Sequence, residues 1–281
     1  MAVYIVTGKL GAGKTLICVG RIFDYLKDGR KVATNLDLHL DKYLRPTSIK
    51  TVVRIPDKPL AEDLLGLGYG NTTTDEEKNG LIVLDELGSW LNTRSWQDKT
   101  RKSLLDWFIH ARKYGWDLML IVQDISMLDS QLRDALCEHL VVCRRLDRLR
   151  IPFIGGLLQY FGLKGTLPKI HSAKAYYGDN ELALVAHRWW YKGHDLYCAY
   201  DTKQIFSPSY AHGLYSMLSP WLTTGRYLNP KLTLRQRFEL WLDSPRPKPT
   251  TEKLPLIQKI QKLPPEKRIE FVRRFQQAGS L

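Results

Sequence analysis

Apolar and polar positions recur along this chain with two periods, and the points where the period changes mark its elements. Val3-Tyr4-Ile5-Val6 opens it as a buried strand. Leu16, Val19, Ile22, Phe23 and Leu26 then return at helical spacing, predicting a helix over Lys14–Leu26. Further strands are predicted near Lys31–Asn35, Thr51–Ile55, Leu81–Leu84, Leu118–Val122 and His139–Cys143. Further helices are predicted near Leu60–Leu65, Lys99–Tyr114 and Ser130–Leu136. Strands alternating with helices define an α/β fold with a mostly parallel sheet covered by helices. Residues 68–79, with Thr72-Thr73-Thr74 and three acids, read as an exposed loop.

Beyond Leu149 the pattern changes. Pro152, Gly155, Gly156, Gly162 and Gly165 punctuate an apolar stretch. Alternating runs then cover Ile170–Tyr177, Leu182–Tyr191 and Leu196–Tyr200, separated by hairpin-type residues, so a small antiparallel β extension is expected. It either completes the main sheet or forms a subdomain beside it. Trp189 and Tyr191 share one face of such a strand and read as core; the alternative has Trp189, Trp190 and Tyr191 stacking on bases beside Arg188. Ser244–Thr250 is a basic, proline-rich linker. After Pro264-Pro265, Ile269, Val272 and Phe275 form a stripe among Lys267, Arg268, Arg273 and Arg274. Such a basic amphipathic helix suits an anionic membrane, a partner or its own domain.

The chemistry is concentrated where strands end. Gly8-Lys9-Leu10-Gly11-Ala12-Gly13-Lys14-Thr15 fits G-x-x-x-x-G-K-[ST] and lies between the first strand and the first helix. Its backbone N–H groups at Gly8, Gly11, Ala12 and Gly13 can turn toward a phosphate, and the helix N-terminus adds partial positive charge. Lys14 is placed for the β- and γ-phosphates of ATP and Thr15 for Mg²⁺. Leu81-Ile82-Val83-Leu84-Asp85-Glu86 brings two carboxylates to the end of a buried strand. Asp85 is the candidate Mg²⁺ partner opposite Thr15, and Glu86 the general base for attacking water. Gln123, at the tip of Leu118–Val122, is the candidate γ-phosphate sensor. Arg112, Arg94 and Arg101 are candidates for an arginine finger supplied to a neighbouring subunit. These assignments divide the chain into a P-loop ATPase core at 1–148, the β-rich extension at 149–243, and a linker with basic helix at 244–281.

Composition narrows the partners. Among 281 residues, 44% are hydrophobic and 25% charged, an ordinary globular balance, but the net charge of +13 favours polyanions such as nucleic acid or an anionic membrane face. Cys18, Cys137, Cys143 and Cys198 have no zinc-type spacing and read as small buried hydrophobes in a reducing compartment. The start in a strand predicts no signal peptide, and no apolar run of about 18 residues predicts a membrane span. No G-x-S-x-G, H-E-x-x-H or dinucleotide fingerprint competes.

These residues together resemble the Zot (zonula occludens toxin) and gene I proteins of filamentous bacteriophages, P-loop ATPases of the FtsK–HerA type. The resemblance runs from the first residue to about Tyr200. It is carried by Tyr4–Thr15, by Gly29–Asn35 with its Thr34-Asn35 pair, by Leu84-Asp85-Glu86, and by His110–Asp117 leading to Gln123-Asp124-Ile125. It implies a motor for virion assembly and export at the host inner membrane, extruding single-stranded phage DNA as coat protein is added. It further implies a homo-oligomeric ring, hexameric by similarity, with phage coat and assembly proteins as partners. Family members often carry a transmembrane helix after the ATPase domain; here attachment is expected through a partner or the basic tail, leaving the protein in the host cytoplasm and peripheral on the membrane. A packaging or conjugation-type translocase and a nucleotide-gated scaffold are the alternatives.

Overall fold

The apolar runs become the centre of one nine-stranded sheet. In chain order the strands are β1 (Val3–Thr7), β2 (Val32–Thr34), β3 (Val53–Arg54), β4 (Gly80–Leu84), β5 (Trp116–Ile121), β6 (His139–Arg145), β7 (Ile170–Tyr177), β8 (Val185–Lys192) and β9 (Tyr215–Ser216). Their order across the sheet is β8-β7-β6-β1-β5-β4-β2-β3-β9. The six strands from β6 to β3 are parallel, while β7, β8 and β9 run antiparallel to their neighbours. The computed structural model describes residues 2–90, 99–128, 130–146, 169–207, 210–228, 234–243 and Lys267. The apolar stretch from Ile151 to Gly162, the linker Ser244–Thr250 and the stripe at Ile269, Val272 and Phe275 lie outside these residues.

The helices are α1 (Lys14–Lys27), α2 (Leu40–Tyr43), α3 (Ala61–Gly66), α4 (Leu87–Trp90), α5 (Lys99–His110), α6 (Ser130–Leu136), α7 (Gly193–Leu196), α8 (Pro220–Thr223) and α9 (Leu234–Asp243). One core lies between α1 and the sheet face carrying Tyr4, Val6, Leu81, Val83, Met119 and Ile121. The other lies under α5 and α6, against Val3, Ile5, Ile82, Leu84, Leu118 and Leu120. Alternate residues of each central strand thus serve opposite layers, which is why these strands read as unbroken apolar runs.

The β extension completes the main sheet. β7 and β8 continue it beyond β6, and Trp189 and Tyr191 pack toward α1. The Trp189 ring meets Tyr4 at 5.3 Å edge-on, and the Arg21 guanidinium lies 4.9 Å from it. Gly20 lets Tyr191 come close, since a Cβ there would stand 2.6 Å from the ring. Trp190, between them, faces outward and is 59% exposed. The third run predicted as a strand, Leu196–Tyr200, is not one. Leu196 closes α7, and Leu196, Ala199 and Tyr200 are buried at i, i+3 and i+4, a helical-turn spacing rather than a period of two. The helix predicted to Tyr114 ends at His110; a 3-10 turn over Ala111–Tyr114 follows, closed by Gly115 in the left-handed region. Cys18 and Cys143 are buried as expected, but Cys137 is half-buried and Cys198 exposed.

At the N-terminal end of β5, buried Asp117 accepts from Tyr25 at 2.8 Å, Arg30 at 2.9 Å and the Ala2 amide at 2.9 Å. It thereby ties β5 to α1 and β1 at the end of the sheet opposite the phosphate loop. The chain divides into two units, Met1–Asn229 and Pro230–Leu281. In the second, α9 carries an Arg235–Glu239 pair and stacks Phe238 on Trp241. Among the described residues no helix is long and apolar enough to cross a membrane.

The two faces of β8 predict opposite costs. Trp189→Ala should lower the unfolding free energy by about 2–3 kcal/mol, whereas Trp190→Ala should change it by less than about 0.5 kcal/mol; urea unfolding of the two variants measures the difference.

Candidate functional site: a phosphate-loop cleft

β5 is inserted between β1 and β4, so the loops leaving β1, β5 and β4 open side by side at one end of the sheet. Chain direction reverses its spatial order there, where open α/β sheets bind ligands. A cleft of about 510 Å³ occupies this place. Its walls include Gly11, Gly13, Lys14, Thr15, Asp85, Glu86 and Gln123, which are therefore brought together as the sequence predicts.

The phosphate loop is held by its own backbone and by the sheet. The Ala12 amide donates to the Lys9 carbonyl at 2.9 Å, and the Ile17 amide to the Gly13 carbonyl at 2.9 Å, starting α1. Gly13 has φ +91°, and a Cβ there would overlap the His171 ring. The Lys14 ammonium donates to the Gly8 carbonyl at 2.9 Å, folded back along the loop. No side chain caps the N-terminus of α1, and no acid lies in its first turn, so its leading N–H groups keep the pattern that receives a phosphate.

Across the cleft, Thr15 Oγ1 donates to Asp85 Oδ2 at 2.8 Å. Burial pushes the Asp85 carboxyl up from its usual range, opposed by the Thr15 hydrogen bond, the Glu86 amide and the Lys14 charge. A hydroxyl and a carboxylate oxygen are hard donors that suit Mg²⁺, which keeps part of its own water shell. The cleft therefore fits a magnesium–nucleotide. Glu86 follows with φ +56°, and its amide donates to Asp85 Oδ1 at 2.7 Å. That left-handed conformation is costly for a residue with a side chain and turns Glu86 away from the path of the strand. Partial burial, then the neighbouring Asp85 charge, raise its carboxyl pKa.

The Thr34-Asn35 pair has a role that motif reading left unassigned. Asn35 is fully buried at the end of β2. Its Oδ1 accepts from the Asp85 amide at 2.8 Å, while its Nδ2 donates to the Asp85 carbonyl and to the Asp57 carbonyl, each at 3.1 Å. Asp57 in turn pairs with the buried Arg54 guanidinium at 2.6 Å, which also donates to Asp37 at 2.8 Å. A segment following α7 closes over this end of the sheet. Gln204 donates to the Asn35 carbonyl and accepts from the Asp37 amide, both at 2.8 Å, and Tyr200 bridges Leu38. Tyr197, Tyr200 and Thr202 from this segment, with His171 of β7 and Arg145 of β6, complete the walls of the cleft. None of these five carries a motif; only the end of the β6 run, two residues before Arg145, pointed toward it.

Arg112 lies elsewhere. It belongs to the turn before β5, at the end of the sheet opposite the cleft, and pairs with Glu76 at 2.7 Å. Arg94 and the side chain of Arg101 lie outside the described residues.

Sheet order and cleft define a P-loop NTPase fold. The family described as zonular occludens toxin (Zot) matches residues 2–162, and the chain belongs to that family. The Gene 1 protein of Enterobacteria phage M13 is 54% identical over 244 residues, covering 85% of this chain and 70% of the relative. The Gene 1 protein of Salmonella phage IKe is 53% identical over 234 residues, covering 77% and 64%. Two solved structures are more distantly similar. The N-terminal domain of zonular occludens toxin from Neisseria meningitidis shares 19% identity at a TM-score of 0.39, covering 71% of this chain and 98% of that one. The genome packaging NTPase B204 of Sulfolobus turreted icosahedral virus 2 shares 12% at 0.39, covering 68% and 97%.

If the Asn35 amide holds the Asp85 backbone, Asn35→Ala should cost about 2 kcal/mol of stability by leaving buried groups unpaired. Asn35→Asp should cost more, because a carboxylate cannot donate to the Asp57 and Asp85 carbonyls. Chemical denaturation of both variants measures the order.

Proposed function

We propose that this chain is an ATP-hydrolysing motor for phage assembly and export at the host inner membrane, working as a homo-oligomeric ring that drives single-stranded DNA outward as coat protein is added. The observation that carries the ATPase reading is the Thr15–Asp85 hydrogen bond at 2.8 Å, set across one cleft from Lys14 with Glu86 beside it. Kinship with the phage Gene 1 proteins supports the assembly role.

Gly8, Gly11, Ala12, Gly13 and Lys14 would hold the phosphates of ATP, and Thr15 with Asp85 would hold Mg²⁺. The bound magnesium–nucleotide supplies the electrophilic γ-phosphorus and the phosphoanhydride bond that breaks. Lys14 exchanges the Gly8 carbonyl for phosphate oxygens. Glu86 accepts a proton from the attacking water at its carboxylate, and its raised pKa makes it a stronger base than an ordinary glutamate. Gln123 reads the γ-phosphate from the tip of β5. Arg112 cannot reach the cleft of its own chain, so a finger role requires delivery to a neighbouring subunit. Its exposed partner Glu76 holds it only through a solvent-screened ion pair.

For the DNA, the outward face of β8 is the candidate contact. Arg188 and Lys192 flank exposed Trp190 on that face, and Lys174 lies opposite Arg188. Charges alone would serve to protect an edge strand; an exposed tryptophan among them would not, and it suits base stacking.

In steady-state phosphate release, Lys14→Ala should abolish nucleotide binding, while Glu86→Gln should bind ATP and turn over at least about 100-fold more slowly. Binding without turnover in the wild type would instead favour the nucleotide-gated scaffold. Protonated Glu86 cannot act as base, so the wild-type rate should fall as pH falls, with a midpoint above the ordinary glutamate value of about 4.3. For the DNA face, Trp190→Ala should weaken binding of a fluorescent single-stranded oligonucleotide by about 5-fold or more, the lower end of a stacking contribution, without changing the basal ATPase rate.

A further inference from the structure

His171 is a buried histidine that nothing in the hydrolytic reading uses. It lies on β7 opposite Arg145 of β6 and is 2% exposed. Its Nδ1 is 3.2 Å from the Ala12 carbonyl oxygen, and its Nε2 is 2.8 Å from the Tyr197 hydroxyl. A carbonyl oxygen only accepts, so Nδ1 carries the proton and donates to Ala12. In the neutral ring Nε2 is then an acceptor, and the Tyr197 hydroxyl donates to it. The ring also fills the space beside Gly13 that a side chain would otherwise need.

Two parts of the cleft distant in sequence meet in this chain of contacts. Ala12 is inside the phosphate loop. Tyr197 begins the closing segment, whose further residues bond to the backbone around Asn35: the His39 amide donates to the Ala199 carbonyl at 2.8 Å and the Asp201 amide to the Asp37 carbonyl at 3.1 Å. Asn35 in turn holds Asp85. We propose that His171 is a positioning residue for the nucleotide: through Nδ1–H it sets the Ala12 peptide, and through Nε2 it anchors the closing segment at Tyr197, fixing the phosphate loop in register with the Asp85 side of the cleft. A carbonyl held toward His171 cannot turn into the loop and repel phosphate oxygens. His171 itself touches no reacting atom, so its loss should act on nucleotide affinity far more than on the chemical step.

This inference rests on the ATPase reading, and nucleotide binding separates the two. With the full chain, binding of a fluorescent ATP analogue and KM and kcat for ATP are measured for wild type, His171→Ala, His171→Asn, His171→Gln and Tyr197→Phe. His171→Ala should raise Kd and KM about 10-fold, the loss of one hydrogen bond that orders a charged site, with kcat within about twofold. Asn places its amide where Nδ1 stood and should recover most of the affinity; Gln, whose amide reaches toward Tyr197, should not. Tyr197→Phe should raise KM a few-fold and folds independently of any cavity at His171. Unchanged KM in His171→Ala, or equal losses in the Asn and Gln variants, would overturn the positioning role. If His171→Ala fails to fold, the Asn–Gln contrast and Tyr197→Phe decide. No nucleotide binding by the wild type would instead overturn the ATPase reading.

Discussion

The amide side chain of Asn35 is the constraint on which the cleft depends. At the end of β2 it takes the place of a strand neighbour, bonding both the N–H and the C=O of Asp85 just beyond β4. A buried backbone pair left without partners is costly, so this one side chain decides where the Asp85 peptide can lie. Because β4 and β2 are in parallel register, the same bond sets the Asp85 carboxylate across from Thr15. Helix α1 fixes Thr15 from one side and the sheet fixes Asp85 from the other. Their oxygens meet at 2.8 Å where the helix and the sheet, packed in one core, bring them together.

What holds Asn35 is itself polar and buried. Arg54 is 1% exposed and pairs with Asp37 and Asp57, beneath the ring of Tyr210. Taking a guanidinium and a carboxylate out of water gains little net stability, and losing one partner is expensive. The arrangement makes sense as a device for register: the turns after β2 and β3 and the segment carrying Gln204 and Ser207 are joined through charged and amide groups that admit one geometry. The Asp85 side of the cleft is thus built by segments that close over it late in the chain, and the phosphate loop is braced by β7.

That division explains what was legible in the sequence. The phosphate loop, Asp85-Glu86 and Gln123 could be placed because each follows a buried apolar strand, and a strand end plus a short motif is a local signal. The parallel core was legible for the same reason, from unbroken apolar strands alternating with helices of 3.6-residue period. The long-range partners were not. His171, Tyr197, Tyr200 and Thr202 reach the cleft by antiparallel pairing of β7 on β6 and by a return across the sheet, and no local period records such a path. Leu196–Tyr200 misled because Leu-Tyr-Cys-Ala-Tyr is apolar or aromatic throughout, and a five-residue run of that kind carries no period to separate a helical turn from a strand. Arg112 was drawn from a motif block, and its function there is a separate matter from its position at the far end of β5.

The two acids after β4 show how adjacent residues of like charge come to sit in different environments. Asp85 is held by its backbone, by Thr15 and by the Glu86 amide, so its carboxylate has little freedom and suits a metal that demands fixed oxygens. Glu86 is left-handed, so its side chain departs from the strand's alternation and faces the open part of the cleft, where Lys58 and Asp57 modulate it. The residue before it is bonded at both backbone groups, by Asn35 at the Asp85 N–H and C=O, and the Glu86 amide itself donates to Asp85 Oδ1. Burial raises both carboxyls, but the Asp85 shift is opposed by hydrogen bonds and the Lys14 charge, while the Asp85 charge itself adds to the shift at Glu86. One carboxylate is thereby pinned by hydrogen bonds and the other left in the open cleft with its carboxyl raised, two environments for two adjacent acids.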